Sequence, residues 1–167
     1  MAKAGDLKVV YDGHKKFMEA MKALNTTSVR VGIPETAPQR KDDGAFDAQS
    51  NAAIGYIQEH GSDLANIPPR PFLVPGVKAV EKEVAEEFKK AAQECFKDPN
   101  AILKRFTRAG IIAMNSVKAT LTAGEGFAEL SDATIAARKA KGFKGTKPLI
   151  ETGQLRGSIT FVIEDGR

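Results

Sequence analysis

The sequence predicts an α+β fold: a small, mostly antiparallel sheet packed against two long α-helices, with long loops and arms. Three observations predict it. Apolar residues recur at helical spacing over 77–96 and again over 102–121. Two short runs, 28–33 and 158–163, alternate apolar and polar residues with the period of two that marks a half-buried strand. Proline falls outside these runs, and most glycines lie between them. Hydrophobic residues make 42% and charged residues 28% of the 167, values that exclude general disorder. One domain spanning 1–167 is expected, large enough to fold without a disulfide or metal.

The first element is an amphipathic helix over Asp12–Leu24, with Phe17, Met18, Met21 and Leu24 recurring against a polar side of His14, Lys15, Lys16, Glu19 and Lys22. Asn25-Thr26-Thr27 stops it, and Val29, Val31 and Ile33 then alternate with Ser28, Arg30 and Gly32 up to Pro34. Residues 34–50, rich in Pro, Gly, Asp and Gln, read as a long mobile loop. A short helix comes next, with Ile54 and Ile57 on one face and Gly61 in the C-cap position. Residues 61–76 form a Pro-rich arm, extended or turned up to about Phe72.

Val77, Val80, Val84, Phe88, Ala91, Cys95 and Phe96 share one stripe of a helix about 30 Å long at 1.5 Å per residue. Its other side carries Lys82, Glu86 and Lys90 as a solvated ladder, and Glu81, Glu83 and Glu87 are placed on that solvent face as well. Asp98 is the expected N-cap of the next helix, with Pro99 at its first position. That helix has a wide apolar face, Ile102, Phe106, Ala109, Ala113, Val117 and Leu121, flanked by Leu103, Gly110 and Met114, and belongs at the centre of a domain. Residues 122–148 read as loop around one short helix, capped by Ser131 or Asp132 and ended by Gly142. A polar turn at Thr152-Gly153-Gln154 leads into the last strand, with the Thr152 hydroxyl capping the turn and Leu149, Ile150 and Leu155 anchoring it.

No catalytic, metal or cofactor site is expected. The two histidines, His14 and His60, have no Cys, Asp or Glu at metal-ligand spacing. Cys95, the single cysteine, falls on an apolar stripe, where a thiol behaves as a small buried hydrophobe. The segment GFKGTK lacks the spacing of a phosphate-binding loop. The formal charge of +4 allows an anionic partner. Its densest expression is Arg138, Lys139, Lys141, Lys144 and Lys147, with no acidic residue between Ala133 and Ile150, a candidate contact for DNA phosphates or an acidic protein. The same charges also suit a solvated helix end. The N-terminus lacks an apolar signal core and no window reaches the ~20 apolar residues of a membrane span, which predicts synthesis in the cytosol and no membrane partner.

Three stretches, NAAIGYIQEHGSDLANIPPRPFLVPGV (51–77), LSDATIAARKAKG (130–142) and KPLIETGQLRGSITFVI (147–163), carry a family pattern. Its positions are Glu59, His60 and Gly61; Ile67, Pro68, Arg70, Pro71 and Phe72; Leu130, Ser131 and Thr134; and Leu149, Ile150, Thr152, Gly153, Leu155, Arg156, Ser158 and Ile159. Together, in this order, they resemble the virion-morphogenesis and tail-component proteins of tailed bacteriophages, relatives of minor tail and tail-completion proteins. The resemblance covers roughly half the chain. It implies a non-enzymatic structural protein of the virion, made in the host bacterial cytoplasm. Such a protein forms a ring at the head–tail neck or head-proximal tail end, a hexamer with a dodecamer as alternative. Its implied partners are copies of itself, the tail tube or tail terminator, and the head–tail connector or adaptor proteins, with DNA in the channel as a further contact. The alternative is a DNA-contacting packaging accessory working through the basic 138–147 segment. Arg70, Pro71, Phe72 and Arg156 are the residues expected at subunit or partner interfaces, Arg156 because neither capping nor packing of the last turn requires a guanidinium.

Overall fold

A computed structural model describes residues 4–36, 50–98, 100–150 and 152–165, with side chains from Gly13 onward. Most of the expected 34–50 loop, and Pro99, lie outside the described residues. In chain order the elements are α1 (Ala4–Thr26), β1 (Thr27–Gly32), α2 (Asn51–His60), α3 (Leu73–Ala79), α4 (Glu81–Glu94), α5 (Ala101–Ala123), α6 (Asp132–Ala140), α7 (Gln154–Ser158) and β2 (Thr160–Asp165). The two strands pair antiparallel and pack on α5, so the fold is mixed α+β.

The chain forms two compact units, both of which draw on α5 and the strand pair. The first comprises residues 1–30, 81–112 and 162–167. Its core is Ala91, Cys95, Ile102 and Phe106, with Ala20, Leu24, Val29, Phe88 and Ile163 packed around them. The rings of Phe88 and Phe106 meet at 4.7 Å between centroids, within the range of favourable aromatic pairs. α1 begins at Ala4 rather than Asp12, and Gly13 does not interrupt it. Its buried side is set by Ala20 and Leu24, which leaves Met18 exposed. Phe17, half exposed, stacks on Phe96 at 5.0 Å. The Thr27 hydroxyl donates to the Ala23 carbonyl at 2.7 Å, occupying an acceptor that the helix end leaves open.

The expected single helix over 77–96 is two helices. Val80 leaves helical geometry (φ −115°, ψ 16°), and α4 restarts with Glu81 and Glu83 in its first turn, where the helix dipole favours negative charge. The apolar stripe therefore runs true only from Val84 to Cys95, and Val77 and Phe96, at its two ends, are exposed. Glu87 corrects another expectation. It is buried, not solvent-facing, and its carboxylate binds Lys90 Nζ at 2.8 Å and Arg105 Nη1 at 3.1 Å. Arg105 also grips Glu94, through Nε at 2.9 Å and Nη2 at 2.5 Å. Lys90 thus belongs to this cluster rather than to a ladder with Glu86, which pairs with Lys89 at 3.5 Å.

Hydrogen bonds from Lys90 and then Arg105 hold the Glu87 carboxyl below its ordinary pKa, and bonds from Arg105 do the same for Glu94. Carboxylates depressed on folding add stability above their unfolded pKa, near 4.5, and that stability is lost as pH falls through the lower folded value. The thermal midpoint should therefore fall below about pH 4.5, and a Glu94→Gln variant should show a shallower fall. Parallel acid profiles for the two proteins would show that the cluster does not contribute.

The second unit comprises residues 31–80 and 113–161. Phe72, Val117, Leu121, Leu155 and Ile159 form its core, ringed by Val31, Ile33, Ile54, Leu73, Met114, Phe127, Leu149 and Ile150. Every residue of the apolar stripe expected on α5 is buried, whereas Leu103 beside it is 59% exposed. The caps expected at Gly61 and Ser131 are present: Gly61 closes α2 by donating to the Ile57 carbonyl, and Ser131 Oγ accepts from the Thr134 N–H. Ser50, read as the end of the loop, caps α2 as well, its Oγ accepting from the Ala53 N–H. Asp98, expected as the N-cap, lies three residues before α5, which begins at Ala101; its side chain accepts from the Asn100 N–H at 2.9 Å in the turn that leads into the helix.

The stretch after Thr152 differs from expectation. Residues 154–158 are a short helix, α7, and the strand starts at Thr160. The Thr152 hydroxyl does accept from the Gln154 N–H, at 3.4 Å, and Gly153 adopts the left-handed conformation (φ 74°) that a bulkier residue resists.

Candidate functional site: a cleft with two buried arginines

In the second unit, the end of α2, the 61–70 segment, the start of α6 and the turn around Thr152 enclose an open cleft of about 770 Å³. It is built by polar side chains that reach across long stretches of sequence. Ser62 and Ile67 exchange backbone hydrogen bonds, both 2.9 Å, which fold the Pro-rich segment back on itself. The Arg70 N–H then donates to the Gln58 carbonyl at 2.6 Å and lays the segment along α2. This segment is therefore seated within its own unit and does not extend as a free arm.

Glu59 fixes the entry into α3. One carboxylate oxygen accepts from the N–H groups of Phe72 and Leu73 at 2.7 and 2.8 Å, and the other from Val74 at 3.0 Å. These are donors that the start of α3 would leave open. Phe72 offers no side-chain cap, and Pro75, the residue after Val74, has no N–H to satisfy. One distant carboxylate thus completes the helix start.

Arg70 is 6% exposed. Its Nε donates to the Ala128 carbonyl at 2.7 Å, Nη2 to the Glu129 carbonyl at 3.0 Å and Nη1 to Gln58 Oε1 at 3.2 Å. It ties the chain before α6 to the end of α2. Arg138 is also buried, with Nη1 donating to the Lys147 carbonyl at 2.8 Å and reaching the Gly145 carbonyl at 3.5 Å. Its guanidinium holds the loop after α6. Burial, and secondarily the charge of Arg138, push the Arg70 pKa down from its usual value.

The residues expected to contact partners fall into two groups. Arg70 and Phe72 are spent inside the unit, Phe72 at the centre of its core, whereas Pro71 and Arg156 are exposed. Among the basic residues, Arg138 faces inward while Lys139, Lys141, Lys144 and Lys147 are exposed. His60 stacks on Tyr56 at 4.3 Å, and its Nδ1 lies 3.0 Å from the Tyr56 carbonyl. Cys95 is buried. Among the described residues no group of three or more His, Cys, Asp or Glu could hold a metal ion, and no helix is long and apolar enough to cross a membrane.

Glu59 is the residue whose role sequence reasoning missed. Its three partners lie 13–15 positions away, and the available signal was indirect: a helix start, Phe72-Leu73-Val74-Pro75, with no local capping side chain. Most residues that carry the family pattern line this one cleft, among them His60, Ile67, Arg70, Ser131, Thr152 and Leu155. No family model, curated protein or solved structure matches the chain.

Proposed function

We propose that the protein is a structural virion subunit of a tailed bacteriophage. It forms a ring at the head–tail neck or the head-proximal end of the tail, completing the tail and joining its tube to the head connector. The observation that carries this reading is the meeting, in the second unit, of the three stretches that resemble tail-component proteins, the last of them up to Phe161. Glu59 caps Phe72, Phe72 shares a core with Leu155 and Ile159 of the last stretch, and Arg70, Leu130, Ser131 and Leu155 line one cleft. A pattern scattered through the sequence thus acts as one structural device. None of these residues carries a catalytic role in this reading.

A closed ring of one kind of subunit reuses two different patches of each copy. Arg156 is a candidate for one of them: it is exposed on α7, and among the described residues no ion pair or hydrogen bond engages its side chain. Arg156→Ala should leave the isolated subunit's thermal midpoint within about 1 °C, as expected for an exposed site, and shift sedimentation from ring to subunit. Virion electron microscopy tests the reading as a whole. A chain that stays monomeric and contributes no density to the neck or tail end would overturn it.

The exposed quartet Lys139, Lys141, Lys144 and Lys147 favours a second reading, contact with DNA. Phosphate contacts release counterions, so that reading requires affinity to fall steeply with salt and to vanish when these four charges are reversed.

A further inference from the structure

The turn over residues 62–67 presents one leucine to solvent on a fixed frame. The backbones of Ser62 and Ile67 bond in both directions at 2.9 Å, the Asn66 N–H donates to the Asp63 carbonyl at 3.1 Å, and the Ala65 N–H donates to Ser62 Oγ at 3.3 Å. Asn66 supplies the left-handed residue of the turn (φ 51°), a conformation that its short polar side chain tolerates, and Pro68 and Pro69 stiffen the exit. This local chemistry uses Ser62 and Asn66 but not the side chain of Leu64, which is fully exposed. A leucine on so rigid a frame orders little further when a partner covers it, so its burial counts almost in full. Beside it, Asp63 is the single charged residue from Gly61 to Pro69. It is exposed, and among the described residues no hydrogen bond or ion pair engages its carboxylate.

The same unit carries a surface of opposite charge. Lys139, Lys141, Lys144 and Lys147 are exposed, and among the described residues no hydrogen bond or ion pair engages their side chains either. Half-buried Phe143 and exposed Ala140 lie among them in sequence, and the aliphatic stems of the lysines add apolar surface that a leucine can cover. No ion pair joins Asp63 to these lysines within the chain, so the complementary charges are left to meet between two copies. We propose that the 62–67 turn is a contact between copies of this chain, with Leu64 of one copy seated against Phe143 and the lysine stems of another and Asp63 against its ammonium groups. A nucleic acid would use the lysines but neither Leu64 nor Asp63. The contact joins two different patches, as a closed ring of identical subunits requires, and it rests on the ring reading for its occupant.

Sedimentation velocity of the full chain over a concentration series tests the contact. Leu64→Ser should weaken self-association at least about tenfold, the factor that burying a leucine supplies, and leave the thermal midpoint of the dilute subunit within about 1 °C. Asp63→Lys alone should dissociate the assembly, and so should Lys139→Glu, Lys141→Glu, Lys144→Glu and Lys147→Glu made together. Mixed in equal amounts, these two variants should associate again, because each then offers the charge that the other's patch needs. Unaltered protein that stays monomeric at every concentration, association that survives Leu64→Ser, or a mixture that stays dissociated would each overturn the inference. Lysine reversal that dissociates the assembly while Asp63→Lys leaves it intact would assign the lysines to another contact and overturn it too. Any of the last three results leaves the virion reading standing wherever the protein contributes density to the neck or tail end. Absence of that density, with the variants and their mixture behaving as expected, would overturn the virion reading and keep the contact.

Discussion

Glu59→Ala should cost about 4 kcal/mol of folding stability, measured by urea denaturation, a large share of the 5–15 kcal/mol typical of a domain. The magnitude comes from the groups the carboxylate holds. It accepts from three consecutive backbone N–H groups, at 2.7, 2.8 and 3.0 Å, in a place where Glu59 is only 9% exposed and Phe72 1%. Removing it strands donors in a site that water reaches poorly, and an unsatisfied buried donor costs about 1–3 kcal/mol. It also removes negative charge from a helix N-terminus, a further loss of about 0.5 kcal/mol. Glu59→Gln should lose roughly half as much, because the amide oxygen still accepts while the amide nitrogen faces donors. Amide exchange should localise the damage: the Phe72, Leu73 and Val74 N–H groups should lose protection before those in the middle of α5. A loss under about 1 kcal/mol in the alanine variant would mean that water takes over the carboxylate's role.

This dependence on a distant acceptor marks where the sequence is legible and where it is not. Signals that act within a few residues are readable. Gly61 and Ser131 cap the helices they adjoin, and the α5 stripe from Ile102 to Leu121 is buried throughout. Interactions that span the chain leave no local trace. Nothing around Glu59 marks it as a cap for residues 72–74, and nothing around Glu87 shows that Arg105 will draw it inward from a face read as solvated.

Arg70 and Arg138 are the same problem at the cleft. A basic residue among prolines or lysines reads as a surface charge, yet each guanidinium is used here to gather backbone carbonyls from elsewhere in the chain. The four lysines beside Arg138 lack the planar fork that makes this possible, and they remain exposed. The misplaced start of β2 has a different cause. Ile159 lies four residues after Leu155 and two before Phe161, so it satisfies the helical and the strand period at once. Both Leu155 and Ile159 are buried in one core, which resolves the ambiguity in favour of a helical turn at 154–158.

Gly76→Ala should be nearly as damaging, at about 3 kcal/mol, although it adds a single methyl group to a helix and alanine is the better helix former. α3 crosses α5 at Gly76 with almost no separation. A Cβ there would stand 2.7 Å from Val117 Cα and 3.1 Å from both Val117 N and Cγ2. Two of these three atoms are backbone in the middle of α5, so no rotamer change relieves the overlap. The Ser116 hydroxyl donates to the Gly76 carbonyl at 2.6 Å, and pushing the helices apart would break that bond as well. Val117 is fully buried beside Phe72 and Leu121, so the displacement would propagate into the core and loosen the Glu59 cap one turn away. Gly157→Ala supplies the internal comparison. It also lies within a helix, but its new Cβ would meet nothing within 4 Å, so stability should stay level or rise by about 0.5 kcal/mol. Equal losses at the two positions would show that glycine serves backbone freedom at both; a loss confined to Gly76 would show that α3 is held where it is by contact with the α5 backbone itself.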